Sequence, residues 1–376
     1  MNPIIKPNIT RVLLSPSPAP FASAVLHNSN HSLRIPGKAD SFQPAAIVAP
    51  LDYLISSSNR VSLPTPSSRL PTSIFPTRPL YLSTCQFPHR SPQALYSTQS
   101  HNMSTIEDAK RNAAKQAVAK HYPPNPKFVG IGSGTTIVYV VEAIKALGVD
   151  TTTTGFVPTG YQSNQLVVNA GLTSVSLDAL PEGAVLDVAF DGADEVDDDL
   201  NCIKGGGACL FQEKLVALQA KEFICVADSR KLQRRLLTNW PSIPIEVAPL
   251  AVRRVISELQ KLGSPLPKLR NAPIKEGEHT QPVKTDQDFF LVDAPFPKLL
   301  LPSDVAQGED GSGKNGVWEV TALAERIKLI PGVLEVGLFC GPTGPQAQAA
   351  GGIGGQKPTA AYFGMPDGSV SVRKAN

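Results

Sequence analysis

Residues 185–190 (VLDVAF) form an almost unbroken apolar run that stops at two carboxylates, Asp191 and Asp194, with Gly192 and Ala193 between them. A run of that kind reads as a mostly buried strand. Further on stand Lys204, three consecutive glycines (Gly205, Gly206, Gly207) and a helix-like segment, residues 208–220. Three glycines ahead of a helix cost backbone entropy. That cost is understandable where a ligand or another backbone must approach very closely. A buried strand with charges at its carboxyl end, a glycine loop and a helix constrain the chain to an α/β arrangement with its chemistry at the strand end.

Within the helix, Glu213 is the unusual residue. Three and four positions away stand Cys209, Leu210, Val216 and Ala217, all apolar. That face gives a carboxylate partly desolvated surroundings, while the helix N-terminus and Lys204 supply positive potential. Taken alone, Glu213 reads as a surface carboxylate beside a solvated Lys214. The two aspartates, the lysine and the glycine triplet nearby turn the reading towards a general base.

The residues before this stretch alternate between helix and strand. A helix begins at Thr105 and ends before Pro123-Pro124, and residues 127–131 form a short strand. Gly132, Ser133, Gly134, Thr135 and Thr136 then open a helix over 137–147. A glycine turn with hydroxyls at a helix N-terminus suits a phosphate, because free N–H groups and the helix dipole both favour an anion. The same residues would also serve as a tight βα turn with capping hydroxyls. No Gly-Lys-Ser/Thr follows, so this is no Walker loop, and Thr135 stands where a dinucleotide fingerprint needs its third glycine. Strands at 151–157 and 172–177, separated by a helix over 161–170, and a strand at 223–227 complete a pattern that implies a parallel sheet covered on both faces. In such sheets ligands sit at the carboxyl ends of strands, where both the 132–136 turn and Asp191–Asp194 fall. The acidic run 195–199 reads as a solvated loop rather than a metal-binding DxD site.

After Trp240 the character changes. Val252, Val255, Ile256, Leu259 and Leu262 mark an amphipathic helix, residues 289–293 a strand, Leu323, Ile327 and Ile330 a helical stripe, and 333–339 another strand. This order fits a small α+β domain. Loops at 271–285, 302–316 and 341–357 read as surface insertions, and residues 360–373 as a terminal hairpin.

The length of 376 residues suits two or three domains. A net charge of +3 without an aromatic-basic pattern gives no support for a nucleic-acid partner. No apolar run is long enough to span a bilayer. The cysteines (85, 202, 209, 225, 340) include no CxxC pair and read as reduced thiols. No histidine spacing suggests a metal. Residues 1–102 hold fifteen prolines and seventeen serines, with only Asp40 and Asp52 as acids against eight Lys and Arg. Such a segment has little prospect of a packed core and is expected to be disordered. Met103-Ser-Thr-Ile-Glu-Asp looks like a natural start, which makes a cytoplasmic protein the expectation. A mitochondrial targeting segment is the alternative reading of 1–102.

GIGSGTT (130–136), DGADEVD (191–197), KGGGACLFQEK (204–214), FICVADSRK (223–231) and IPGVLEVGLF (330–339) together resemble the A-type ribose-5-phosphate isomerases over residues 104–374. The resemblance implies a Rossmann-like domain (103–237 and 341–376) with a smaller ferredoxin-like α+β lid domain (238–340), as a homodimer or homotetramer. It implies interconversion of ribose 5-phosphate and ribulose 5-phosphate in the pentose phosphate pathway, with no cofactor or metal. By the same resemblance Glu213 is the proton acceptor, and Asp191 and Asp194 contact sugar hydroxyls and assist ring opening. Lys204 with Gly205, Gly206 and Gly207 forms the substrate loop; Ser133, Gly134, Thr135, Thr136, Gly192, Ala193 and Lys231 bind substrate; Lys110 corresponds to a basic residue near the phosphate. Ser133 replaces a threonine seen in some members, which keeps the hydroxyl. A non-catalytic sugar-phosphate sensor on the same fold is the competing function. It need not keep Glu213 or Lys204.

Overall fold

The computed structural model of the chain describes residues 93–272 and 280–375. The expected disorder of 1–102 therefore lies largely outside the described residues. Helix α1 (Gln93–His121) starts before the expected Thr105, because no proline or glycine interrupts residues 93–122 between Pro92 and the Pro123-Pro124 stop. Its buried stripe is Ala109, Ala113, Ala114, Ala117 and Val118. Small side chains let the sheet approach closely: a Cβ on Gly364 would lie 2.1 Å from the Ala109 carbonyl oxygen.

The chain continues through β1 (Phe128–Ile131), α2 (Ile137–Ala146), β2 (Gly155–Pro158), α3 (Tyr161–Asn169), β3 (Val188–Asp191), β4 (Glu195–Val196), β5 (Cys202–Ile203), α4 (Leu210–Leu218) and β6 (Phe223–Asp228). Next come β7 (Ile243–Val247), α5 (Val252–Lys261), β8 (Lys268–Leu269), β9 (Phe290–Ala294), α6 (Pro302–Ala306), α7 (Val320–Lys328), β10 (Val333–Val336), β11 (Leu338–Phe339), α8 (Gly344–Ala349), β12 (Ala360–Gly364) and β13 (Val370–Lys374). A six-stranded sheet has the order β13-β12-β6-β3-β1-β2, parallel except for β13. Strands β1, β2, β3, β6 and β12 are buried at every position, as expected of a sheet covered on both faces. Phe156, Phe190, Phe223 and Phe363 are fully buried in or against it, each contributing roughly 1.5–3 kcal/mol by leaving water.

A second, antiparallel sheet has the order β10-β7-β9-β8. Helices α5 and α7 bring Val255, Leu259, Leu323 and Ile327 into its separate core. Read along the chain, with the short α6 set aside as an insertion, this is strand, helix, two strands, helix, strand, the ferredoxin-like arrangement. The molecule is thus a Rossmann-like parallel sheet with a smaller α+β unit.

Several expected elements differ. Residues 172–177 form no strand; Ser174 makes an isolated bridge to Phe156, and a short 3-10 turn follows. The strand expected over 333–339 is cut at Gly337, where a Cβ would lie 2.4 Å from the Lys204 carbonyl oxygen. Strand β10 pairs with β7, whereas β11 turns away to pair with β5. The loops expected at 302–316 and 341–357 contain α6 and α8, and residues 273–279 of the third lie outside the described residues.

The acidic run 195–199 is solvated only at its end: Asp198 is exposed and Asp199 partly so, but the first half is buried. Glu195 is 1% exposed and Asp197 fully buried. The Glu195 carboxylate accepts the backbone N–H groups of Leu237, Thr238, Asn239 and Trp240. A buried turn must satisfy its donors, and the only way from sequence to that partner runs through the tertiary fold. Lys214 is likewise buried rather than solvated. Its ammonium donates to Glu335 Oε1 at 3.0 Å and to the carbonyls of Val336 and Leu338 at 2.5 and 2.9 Å. Among the described residues no helix is long and apolar enough to cross a membrane.

Candidate active site

In the parallel sheet the chain leaves β1 towards β2 on one side, while β3 lies on the other. The divergence opens a crevice at the carboxyl ends of β1 and β3. Gly132 follows β1 and donates its N–H to the Phe190 carbonyl at 2.8 Å. A Cβ on Gly132 would lie 1.9 Å from Asp191 Oδ1, so only glycine fits. Asp191, at the end of β3, accepts the N–H groups of Ser133 (3.1 Å) and Gly192 (2.7 Å) and pairs with Lys204 Nζ at 2.9 Å. Lys204 also donates to the Gly192 carbonyl at 2.6 Å and lies 3.4 Å from Glu213 Oε2.

Burial pushes the Asp191 carboxyl up, against the pull of Lys204. Burial alone would lower Lys204, yet Asp191 and Glu213 beside it hold its ammonium above the ordinary lysine range. Glu213 is 4% exposed in the first turn of α4. Its Oε1 accepts from Ser133 Oγ at 2.7 Å and from the Cys209 thiol at 3.4 Å. Its Oε2 has no hydrogen-bond donor among the described residues. The Lys204 contact is close enough for Coulomb attraction but is not directed as a hydrogen bond, so that oxygen keeps a lone pair to offer.

The glycine loop completes this wall. Gly205 adopts a φ of 104°, and Ala208 is held at 65° although it carries a Cβ. A non-glycine residue in that region costs about 1–3 kcal/mol, consistent with a loop shaped for the site. Gly206 donates its N–H to Asp194 Oδ2 at 2.7 Å, and a Cβ there would lie 2.7 Å from Asp194 Oδ1. Burial raises the Asp194 carboxyl, and the Gly206 N–H opposes this.

A cleft of about 250 Å³ runs from Glu213 and Lys204 past the 133–136 turn to a cationic end. That volume is small for a drug-like ligand and suits a compact polar one. Lys110, 6% exposed, donates to Glu107 at 2.8 Å and to Thr135 Oγ1 at 3.0 Å. Arg230 is pinned by Asp228 through two hydrogen bonds of 2.7 and 2.9 Å. Lys231 lies over the Trp240 ring at 5.0 Å. The Thr136 hydroxyl, at the start of α2, makes no capping hydrogen bond to its own helix.

The residues picked out in the sequence converge on this cleft. Asp191 lies behind its wall and reaches it through Lys204 and the loop N–H groups. Four lining residues were missed: Gln162, Ala227, Asp228 and Arg230. A carboxylate at the end of β6, on the same sheet edge as Asp191, was an available signal for Asp228. For Gln162, whose Oε1 lies 3.4 Å from the Gly134 nitrogen, the sequence held none. Among the described residues no group of three or more His, Cys, Asp and Glu is arranged to hold a metal ion.

The family described as ribose 5-phosphate isomerase A (phosphoriboisomerase A) matches residues 155–350. A ribose-5-phosphate isomerase of Schizosaccharomyces pombe is 46% identical over 278 residues, covering 73% of this chain and 86% of its own. One from Candida albicans is 41% identical over 273 residues, covering 72% and 97%. The solved ribose 5-phosphate isomerase A of Methanocaldococcus jannaschii superposes with a TM-score of 0.53 at 28% identity, over 71% of this chain and 99% of that one. A D-ribose-5-phosphate isomerase in complex with phospho-erythronic acid superposes with a TM-score of 0.54 at 29% identity, over 72% and 99%. With the crevice between β1 and β3, the glycine loop and these likenesses together, the chain belongs to the ribose 5-phosphate isomerase A family.

Proposed function

We propose that the chain interconverts D-ribose 5-phosphate and D-ribulose 5-phosphate through an enediolate, with Glu213 moving the proton. The observation that carries this is the asymmetry of the Glu213 carboxylate: Ser133 holds one oxygen, and the other has no donor although Lys204 lies beside it. A carboxylate fixed in orientation yet open at one oxygen is suited to taking a proton from carbon in a site sheltered from water. In the open-chain aldose, Glu213 takes the proton from C2. The C–H electron pair becomes the C1–C2 double bond, and the carbonyl pair moves to O1. Returning the proton to C1, with the O2 proton passing to O1, gives the ketose.

Lys204 and the glycine-loop N–H groups supply the donors that the developing oxyanion needs. Asp194, beside the loop, suits the sugar hydroxyls and ring opening. Lys110, Arg230, Lys231 and the free N–H groups at the start of α2 make the other end of the cleft fit a phosphate. Binding energy gained there holds the reacting carbons against Glu213. In this reading residues 103–237 and 341–376 form the catalytic body and 238–340 the lid. The test is an assay of the purified protein with ribose 5-phosphate, without added metal or nucleotide. Ribulose 5-phosphate should form. A folded protein that binds the sugar phosphate without turnover would favour the sensor instead.

A further inference from the structure

Arg270 reaches from the antiparallel sheet to the glycine loop. It follows β8, where its N–H donates to the Leu291 carbonyl at 2.8 Å and its own carbonyl accepts from Val283 at 2.9 Å. Its guanidinium is fixed by Asp293 on β9, through Nε at 2.8 Å and through Nη2. The remaining arm, Nη1, donates to the carbonyls of Gly205 at 2.9 Å and Gly206 at 3.2 Å. The side chain is 17% exposed, so a bidentate pair and two carbonyls occupy a guanidinium largely withdrawn from water. Such a fork is rigid and holds its donors in one plane.

A trans peptide points its C=O and the following N–H in opposite directions. Holding the Gly205 carbonyl on the Arg270 side sends the Gly206 N–H the other way, where it meets Asp194 Oδ2 at 2.7 Å. Holding the Gly206 carbonyl does the same to the Gly207 N–H. That N–H has no partner among the described residues, and Gly207 lines the cleft. Fixing a glycine costs more backbone entropy than fixing any other residue, so three in a row hold an orientation only where partners fix it.

We propose that Arg270 is a positioning residue of this active site: it sets the peptide planes of the glycine loop so that the Gly207 N–H faces the oxyanion. The proposal rests on the isomerase reading for the identity of that oxyanion. Arg270 touches no substrate atom and acts through the loop.

The test compares the full chain with Arg270→Gln, Arg270→Lys and Asp293→Asn. Steady-state rates with ribose 5-phosphate are read beside equilibrium binding of two probes, phospho-erythronic acid and inorganic phosphate. The acid carries a carboxylate where the reacting oxygens would lie; inorganic phosphate reports on the cationic end alone. Arg270→Gln should lower kcat about 10²-fold, the scale of losing one oxyanion donor, with KM changed less than about threefold. It should weaken the acid about tenfold and leave inorganic phosphate unchanged. Arg270→Lys should restore part of the rate. Should Arg270→Gln not fold, Asp293→Asn, which loosens the fork but keeps the Arg270 guanidinium, should show the same split in smaller measure. Equal losses in kcat, KM and phosphate binding, or unchanged acid binding, would overturn the proposal. If the parent chain turns nothing over, the isomerase reading fails by itself. The acid-against-phosphate comparison then still decides whether Arg270 orients the loop.

Discussion

The two oxygens of Glu213 live in different surroundings, and that difference makes the residue testable. Ser133 Oγ fixes one at 2.7 Å, and the other has no donor among the described residues. Glu213→Gln keeps shape and hydrogen bonding but cannot accept a proton. It should abolish turnover while leaving substrate affinity within about tenfold, or ~1.4 kcal/mol. Rates near those of the parent would remove Glu213 from the role of base. At this scale much could be read from the chain alone: apolar neighbours three and four positions away placed Glu213 on a buried face, and α4 bears that out. Lys214 could not be read so, because its partners Glu335, Val336 and Leu338 lie more than a hundred residues further on.

At the scale of elements, Lys214 ties α4 to the point where β10 gives way to β11. Lys214→Met should destabilise the protein by about 3 kcal/mol, the lower end of the range for removing one partner of a buried ion pair. Lys328 remains beside Glu335 at 2.7 Å and limits the loss. A denaturant midpoint unchanged from the parent would show that the tie carries no weight. The turn after β4 offers a second measurement. Burial pushes the Asp197 carboxyl from the ordinary 3.8 up to about 7, despite hydrogen bonds from Asn201 and Asp199. Raised in the folded state, this group contributes stability that is full below its unfolded value and is lost as pH rises through about 7. The thermal midpoint of Asp197→Asn should therefore fall less steeply between pH 4 and 7 than the parent's. Asn201 can turn its amide to suit the new partner. Parallel slopes would count against a buried, proton-holding Asp197.

For the whole molecule, the elements that build the cleft run from Lys110 to Trp240, braced by the second sheet. The family relatives align with about three quarters of the chain. A protein beginning at Met103 should therefore keep its kcat/KM and thermal midpoint within error, although it lacks the first ten residues of α1. A markedly lower midpoint would show that the removed residues pack on the fold. The parallel sheet, its buried strands and the glycine turns were legible in the sequence, because apolar periodicity and local backbone freedom are properties of neighbouring residues. Gly132 and Gly206 stood out by type, but their reasons lie in Asp191 and Asp194, which approach each glycine across the fold. The same holds for the acidic run. Four carboxylates within five residues look solvated until β4 buries Glu195 against the donors of residues 237–240. Most helices, strands and turns followed from short-range covalent geometry and burial patterns, which the sequence by itself determines; the break at Gly337 did not, because its cause is the Lys204 carbonyl across the fold. Which carboxylate is paired, which is left open, and how Arg270 meets the glycine loop depended on contacts between distant segments, and only the tertiary structure could decide them.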